Sequence, residues 1–251
     1  MTTLLPWSPA PAALSLTADV VHLWRLNAVQ PPSRILALRA LLSPDEVTRA
    51  DRFHFQRDRD RYIVARGVLR QLLGRYLGAR PEQLRFGANP YGKPTLEDPP
   101  GAPIRFNLSH SGTLVLYGFT SGAELGVDVE QIRPDIDLLA LARHSFSAPE
   151  QAVLRALPPE QHADAFFNCW SRKESYIKAR GEGLSRPLDK FDVSLAPDEP
   201  ARLLATRDEP EAVNQWSLYA FHIADGYKAA LTVEGQPGEI LCFEEGLGVG
   251  G

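Results

Sequence analysis

The chain of 251 residues carries two cysteines, Cys169 and Cys242, and one methionine. Two cysteines make neither a disulfide framework nor a thiolate metal cluster, and Cys169, inside a helical pattern, reads as a small core residue. No apolar run reaches membrane-spanning length, and residues 1–13 lack the basic stretch and apolar core of a secretory leader. A cytoplasmic location with no membrane partner is therefore expected. A P-loop, a paired-glycine dinucleotide fingerprint, a nucleophile elbow and an HExxH pair are all missing. Lysine is scarce: Lys93, Lys173, Lys178, Lys190 and Lys228 are five of 27 basic residues. In a chain that otherwise uses arginine, a lysine marks a place where a compact, titratable ammonium is wanted.

What is present is ordinary for a globular protein with a real core: 44% hydrophobic and 23% charged residues. The length admits one large domain or two half-size units. A net charge of −4 argues against a nucleic-acid partner. Charge is uneven, however, with nine arginines against three aspartates from Arg49 to Arg80. That stretch fits a solvated helix face or a phosphate-binding surface.

Val20 to Leu26 reads as a strand. Ser43-Pro44-Asp45-Glu46 has the capping-box pattern with proline at the first helical position, opening a helix towards Phe53. A longer helix covers about Asp58 to Leu77, with Gly78 as its stop. After the turn-rich Asn89 to Pro94, strands are expected at Ile104 to Leu108, Thr113 to Thr120 and Leu125 to Ile132, with Ser109 to Gly112 as a turn. Ser147-Ala148-Pro149-Glu150 is a second capping box, and the short helix it opens ends at Pro158-Pro159. A long helix, about Gln161 to Arg180, then stops at Gly181, and strands follow at Phe191 to Leu195, Trp216 to Ile223 and Tyr227 to Val233. Capped short helix, long helix, glycine stop and strands thus occur twice. The pattern predicts an α+β protein of two similar subdomains, 1–121 and 122–245, each a small antiparallel sheet packed with helices, with 246–251 a flexible tail.

Two segments carry chemistry. Asp128 and Glu130 alternate on a predicted strand, so both carboxylates leave one face. They suit Mg²⁺, a hard cation that takes one or two carboxylates and completes its shell with water and phosphate; an exposed acidic strand face is the plainer reading. Glu174 and Lys178 stand one helical turn apart, in the order that also favours an ordinary surface ion pair. Trp170, a turn earlier, would either wall a cleft beside them or belong to the core. Asn107-Leu108-Ser109-His110-Ser111, expected at a strand-to-turn junction, offers amide, hydroxyl, imidazole and backbone N–H groups to an anion. Tyr91-Gly92-Lys93-Pro94 sets an ammonium beside a glycine that a ligand could approach closely.

Taken in order, YGKP, NLSHS, GVDVE and WSRKESYIKARGEGL resemble the motif series of the 4'-phosphopantetheinyl transferases, in the larger monomeric type that activates peptide and polyketide synthetases. The resemblance covers roughly Ser43 to Val233. It implies two similar halves with coenzyme A between them and Mg²⁺ on Asp128, Glu130 and Glu174. By position it implies catalytic roles for Glu174, Lys178 and Asp128. It also implies coenzyme A contacts from Arg61, Arg66, Lys93, Pro94, Ser109, His110 and Lys173. The implied reaction moves phosphopantetheine from coenzyme A to a serine of an acyl or peptidyl carrier protein, an acidic helical partner, and releases adenosine 3',5'-bisphosphate. Two upstream positions are basic in some relatives; Arg49 keeps that charge, whereas the other is Glu46. A Mg²⁺-dependent phosphohydrolase using the same acids, or an inactive coenzyme-A- or carrier-binding module, are the alternative readings.

Overall fold

The computed structural model describes residues 6–133 and 136–245, so the expected tail at 246–251 lies outside the described residues. The first half contains β1 (Trp7–Pro9), β2 (Val20–Asn27), α1 (Pro32–Arg39), α2 (Pro44–Asp51), α3 (Gln56–Leu77), β3 (Arg85–Ala88), β4 (Pro94–Asp98), β5 (Ile104–Ser111) and β6 (Leu114–Ser121). The second contains β7 (Leu125–Gln131), α4 (Leu138–Ser145), α5 (Ala148–Ala156), α6 (His162–Arg180), β8 (Phe191–Val193), β9 (Leu203–Thr206), α7 (Ala212–Gln215), β10 (Trp216–Phe221), β11 (Tyr227–Glu234) and β12 (Glu239–Glu244).

Both capping boxes form. Glu46 Oε2 accepts from the Ser43 N–H at 3.0 Å, and Glu150 Oε2 from the Ser147 N–H at 2.9 Å. Both long helices end at a glycine in the left-handed conformation, Gly78 (φ 62°) and Gly181 (φ 69°). The repeated order of elements is therefore present: α2 and α3 precede β3–β6, as α5 and α6 precede β8–β11. The weakly patterned elements β1, β3, β4, β9, β12, α1, α4 and α7 add to the sequence expectation.

The strands form a five-stranded sheet in the order β1-β12-β2-β6-β5, a three-stranded sheet β10-β11-β7, and the hairpins β3–β4 and β8–β9. Pairing is antiparallel except at β12, which lies parallel to both β1 and β2. Alternation along β2 feeds two cores. Trp24 and Leu26 pack against Ile63, Leu69 and Leu72 of α3, whereas Val21 and Leu23 face the other way. There they meet Leu125, Val127 and Val129 of β7 and Leu231 and Val233 of β11 in a core shared by the two sheets. A further core, with Phe166, Phe167, Tyr176 and Phe191, lies under α6 in the second half.

One expectation needs correction. Ser109 to Ser111 is not a turn: β5 continues to Ser111, paired with Leu114 to Leu116 of β6, and the hairpin turns at Gly112-Thr113. This segment therefore forms no turn-built anion nest. Asn107, Ser109 and Ser111 instead share one strand face.

Candidate active site at the seam between the sheets

β5 and β7 run side by side where the two sheets meet, joined through side chains. Asn107 Oδ1 accepts from the Val127 N–H at 2.9 Å, and Ser111 Oγ accepts from the Gln131 N–H at 3.1 Å. Ser109 Oγ donates to Asp128 Oδ1 and Ser111 Oγ to Glu130 Oε2, both at 2.9 Å. Because Leu125, Val127 and Val129 point into the shared core, Gly126, Asp128 and Glu130 face the opposite way, towards α6.

Gly126 sets how near α6 can come. A Cβ there would stand 2.2 Å from the Ser175 carbonyl oxygen and 2.3 Å from the Ala179 nitrogen, so the helix backbone lies directly on the strand. This brings Lys178 Nζ to 2.6 Å from Asp128 Oδ1 and 3.0 Å from Ser109 Oγ. Asp128 is 1% exposed, and its Oδ2 is buried with no partner.

The electrostatics follow from three acids converging on one ammonium. Burial, together with Asp128 and Glu130, pushes the Glu174 carboxyl up to about 7 against the pull of Lys178. Burial and Asp128 also raise Glu130, opposed by hydrogen bonds from Ser111 and Trp170. Burial works against the Lys178 ammonium, but Asp128 holds it above its ordinary value. His110 stands at the exposed rim, where partial desolvation and then the positive charges of Arg61 and Lys178 lower its pKa, which puts Arg61 within electrostatic reach of the His110 ring. Trp170 fits both readings: its ring stacks on Phe166 (6.1 Å, 12°) at the core margin, and its indole serves Glu130.

The structure thus brings together Asp128, Glu130, Glu174, Lys178 and Ser109, with His110 and Arg61 nearby in electrostatic reach. It does not bring Lys173 to them. Lys173 is fully buried, paired with Glu150 at 2.8 Å, and donates to the Leu188 and Phe191 carbonyls at 2.6 Å. The expectation of a coenzyme A contact there is corrected: all three ammonium donors are used inside the second half. Arg66 is likewise engaged, by Glu46 at 2.5 Å, with its guanidinium over the Phe86 ring. Glu46, the acid at the second upstream position, also holds Arg70 at 2.7 Å. The arginine-rich stretch is thus partly an internal ion-pair network. Lys93 and Pro94 line a pocket with Asn89, Arg180 and Gly181, where the Lys93 ammonium is bound within the protein.

Sequence reasoning missed the roles of Asn107, Ser111 and Gly126. The period-two spacing of Asn107, Ser109 and Ser111 would have shown the first two, had the strand been extended to Ser111.

Among the described residues, no group of three or more His, Cys, Asp or Glu side chains stands in a metal-holding arrangement. The donor chemistry nevertheless suits a hard cation: Asp128 Oδ2 is orphaned, and burial together with neighbouring acids opposes ionisation of Glu130 and Glu174.

An α+β chain with acids and a lysine at the seam of two sheets has the means to act on a phosphate ester. A model of the 4'-phosphopantetheinyl transferase superfamily matches residues 124–232, and one of the N-terminal region of 4'-phosphopantetheinyl transferases matches 30–120. The 4'-phosphopantetheinyl transferase HetI of Nostoc sp. is 41% identical over 230 residues, covering 91% of this chain and 94% of that one. The 4'-phosphopantetheinyl transferase Sfp of Bacillus subtilis is 32% identical over 192 residues, covering 76% and 82%. A holo-(acyl-carrier-protein) synthase from Bacillus anthracis, solved with CoA (3',5'-ADP), aligns at 17% identity over 45% of this chain and 96% of that one, with a TM-score of 0.37. The chain belongs to the 4'-phosphopantetheinyl transferase family. It is an enzyme, and the group it transfers is phosphopantetheine.

Proposed function

We propose that the enzyme takes 4'-phosphopantetheine from coenzyme A and attaches it to a serine hydroxyl of an acyl or peptidyl carrier protein. Adenosine 3',5'-bisphosphate is the leaving product, and the enzyme works as a cytoplasmic monomer. The observation that carries this reading is Asp128: one oxygen takes Lys178 and Ser109, while the other is buried and unpartnered beside two carboxyls that resist ionisation.

Asp128, Glu130 and Glu174 would hold Mg²⁺. When bound, the ion supplies positive charge that neutralises a diphosphate. The chain's own residues do the rest, since phosphoryl transfer is mainly positioning and charge stabilisation. Glu174 accepts the proton of the attacking serine hydroxyl, directly or through a water. The phosphorus–oxygen bond to the bisphosphate breaks as the serine oxygen bonds to phosphorus. Lys178, one turn from Glu174, stabilises and protonates the departing phosphate. Ser109 orients both Asp128 and Lys178. His110 and Arg61 present cationic or hydrogen-bonding groups to the coenzyme's phosphates.

The test is incubation with coenzyme A, Mg²⁺ and an apo-carrier protein, followed by mass measurement of the carrier. Transfer adds one phosphopantetheine to the carrier and stops on chelation of the metal. Consumption of coenzyme A with an unchanged carrier would instead indicate a phosphohydrolase. A panel of apo-carriers in the same assay identifies the pathway served.

A further inference from the structure

The loop joining β3 to β4 is tied at Asn89 and Lys93. Asn89 Nδ2 donates to the Gly181 carbonyl at 2.6 Å, and its Oδ1 accepts from the N–H groups of Tyr91 and Lys93, each at 2.9 Å. Two backbone bonds of 2.9 Å, Gly92 N–H to Asn89 O and Asn89 N–H to Lys93 O, close the same turn. Lys93 Nζ donates to Glu124 Oε2 at 2.7 Å and to the carbonyls of Leu125 and Ala179 at 3.1 Å. An ammonium has three donors, and these three bonds use them all. A phosphate could reach Lys93 only by displacing a buried carbonyl or the ion pair.

The partners of these bonds matter. Gly181 and Ala179 end α6, which bears Glu174 and Lys178, and Leu125 opens β7, which bears Asp128 and Glu130. The loop of the first half is thereby fastened to both catalytic elements of the second. Facing outward are Tyr91, 58% exposed, and the Tyr91-Gly92 backbone, beside Gly183.

We propose that Asn89 and Lys93 form a positioning pair that holds the 89–93 loop ready for coenzyme A, and that Lys93 does not itself contact a phosphate. A loop that must order itself on binding loses affinity to that ordering, and a loop already fixed does not. The inference rests on the transferase reading and gives Lys93 an indirect role within it.

The test uses the full chain with Asn89→Ala, Lys93→Met, the double variant and Asn89→Asp. Coenzyme A is titrated calorimetrically at two salt concentrations, and phosphopantetheine transfer is measured at saturating coenzyme A. Each single variant is expected to raise the coenzyme A Kd about ten-fold, with kcat within about two-fold of wild type. The double variant should be no weaker than the worse single, because the pair acts as one unit. Lys93→Met should keep the wild-type salt dependence. Asn89→Asp keeps the acceptor bonds within the loop but sets a carboxylate oxygen against the Gly181 carbonyl, so its loss should be at least that of Asn89→Ala. A reduced salt dependence in Lys93→Met, or losses that multiply in the double variant, would show a direct phosphate contact and overturn the proposal. So would wild-type affinity in Asn89→Ala, or a fall in thermal stability without a change in Kd. Wild-type protein that neither binds coenzyme A nor modifies a carrier would overturn the transferase reading itself.

Discussion

Glu174 separates function from stability at a single side chain. Its carboxylate is costly where it stands, since burial and two neighbouring acids oppose its ionisation. Replacing it by the neutral, isosteric amide removes the proposed base without leaving a cavity. Glu174→Gln should lower transfer by about 10³-fold, keep coenzyme A binding within a few-fold, and unfold at a temperature no lower than wild type at pH 8. Mass assay and thermal melts check the two halves of that statement. His22 behaves in the opposite way. It is 2% exposed, its Nδ1 lies 2.7 Å from the Tyr76 hydroxyl, and burial lowers its pKa from 6.5 to about 4. The unfolded chain therefore binds the His22 proton first. Stability from this group is complete above pH 6.5 and is lost as pH falls towards 4, by about 2 kcal/mol between pH 7.5 and 5. Denaturant unfolding at these two pH values should show that difference shrink in His22→Phe. Legibility at this scale depended on spacing. Asp128 with Glu130, and Glu174 with Lys178, lie at the strand and helix periods, so their faces could be read. Lys173 adjoins Glu174 in the same motif but points about 100° away around the helix, and its counter-ion, Glu150, comes from another element. Arg66 was likewise captured by a carboxylate twenty residues away in sequence.

Between elements, the decisive contact is α6 on β7. The helix and the strand were both readable from periodicity and capping; their distance apart was not, because it is set by an absent side chain. In Gly126→Ala the new methyl would meet the Ser175 carbonyl and the Ala179 nitrogen, which are backbone atoms of a helix packed on its other face and unable to rotate aside. The helix must lift, and with it Glu174 and Lys178 leave Asp128. We expect a stability loss of about 3 kcal/mol and a fall in transfer greater than that of unfolding alone. Activity assayed well below the midpoint temperature distinguishes the two. Retained activity with near-wild-type stability would mean that the helix can slide without cost to the site. The Ser109 to Ser111 segment teaches the same lesson: composition suggested a turn, but pairing with β6 outweighed local preference and aligned Ser109 and Ser111 opposite the acids.

Across the whole molecule, the two proposed halves, 1–121 and 122–245, share one sheet. The last strand, β12, belongs by sequence to the second half yet lies between β1 and β2 of the first. No local pattern could reveal this, since its register with β2 joins Glu239 to Val20 and Cys242 to Leu23, more than two hundred residues apart. Phe243 of β12 packs on His22 and Trp24 with ring centroids 5.1 and 5.0 Å away, and Cys242 enters the core shared by the sheets. Arg25 of β2 further bonds both Glu244 and the Ile223 carbonyl. A chain ending at Gly235 would uncover the backbone edge of β2, leave β1 without the strand it pairs with, and expose one side of two cores. Since β2 supports β6, and β6 supports the β5 strand that carries Ser109 and His110, the damage would reach the site. Full-length protein should unfold in one calorimetric transition, and the shortened chain should lose about 5 kcal/mol or more together with transfer activity. Two resolved transitions in the intact protein, or an active shortened chain melting within a few degrees of it, would mean that each half carries its own fold and that β12 is an accessory to the first.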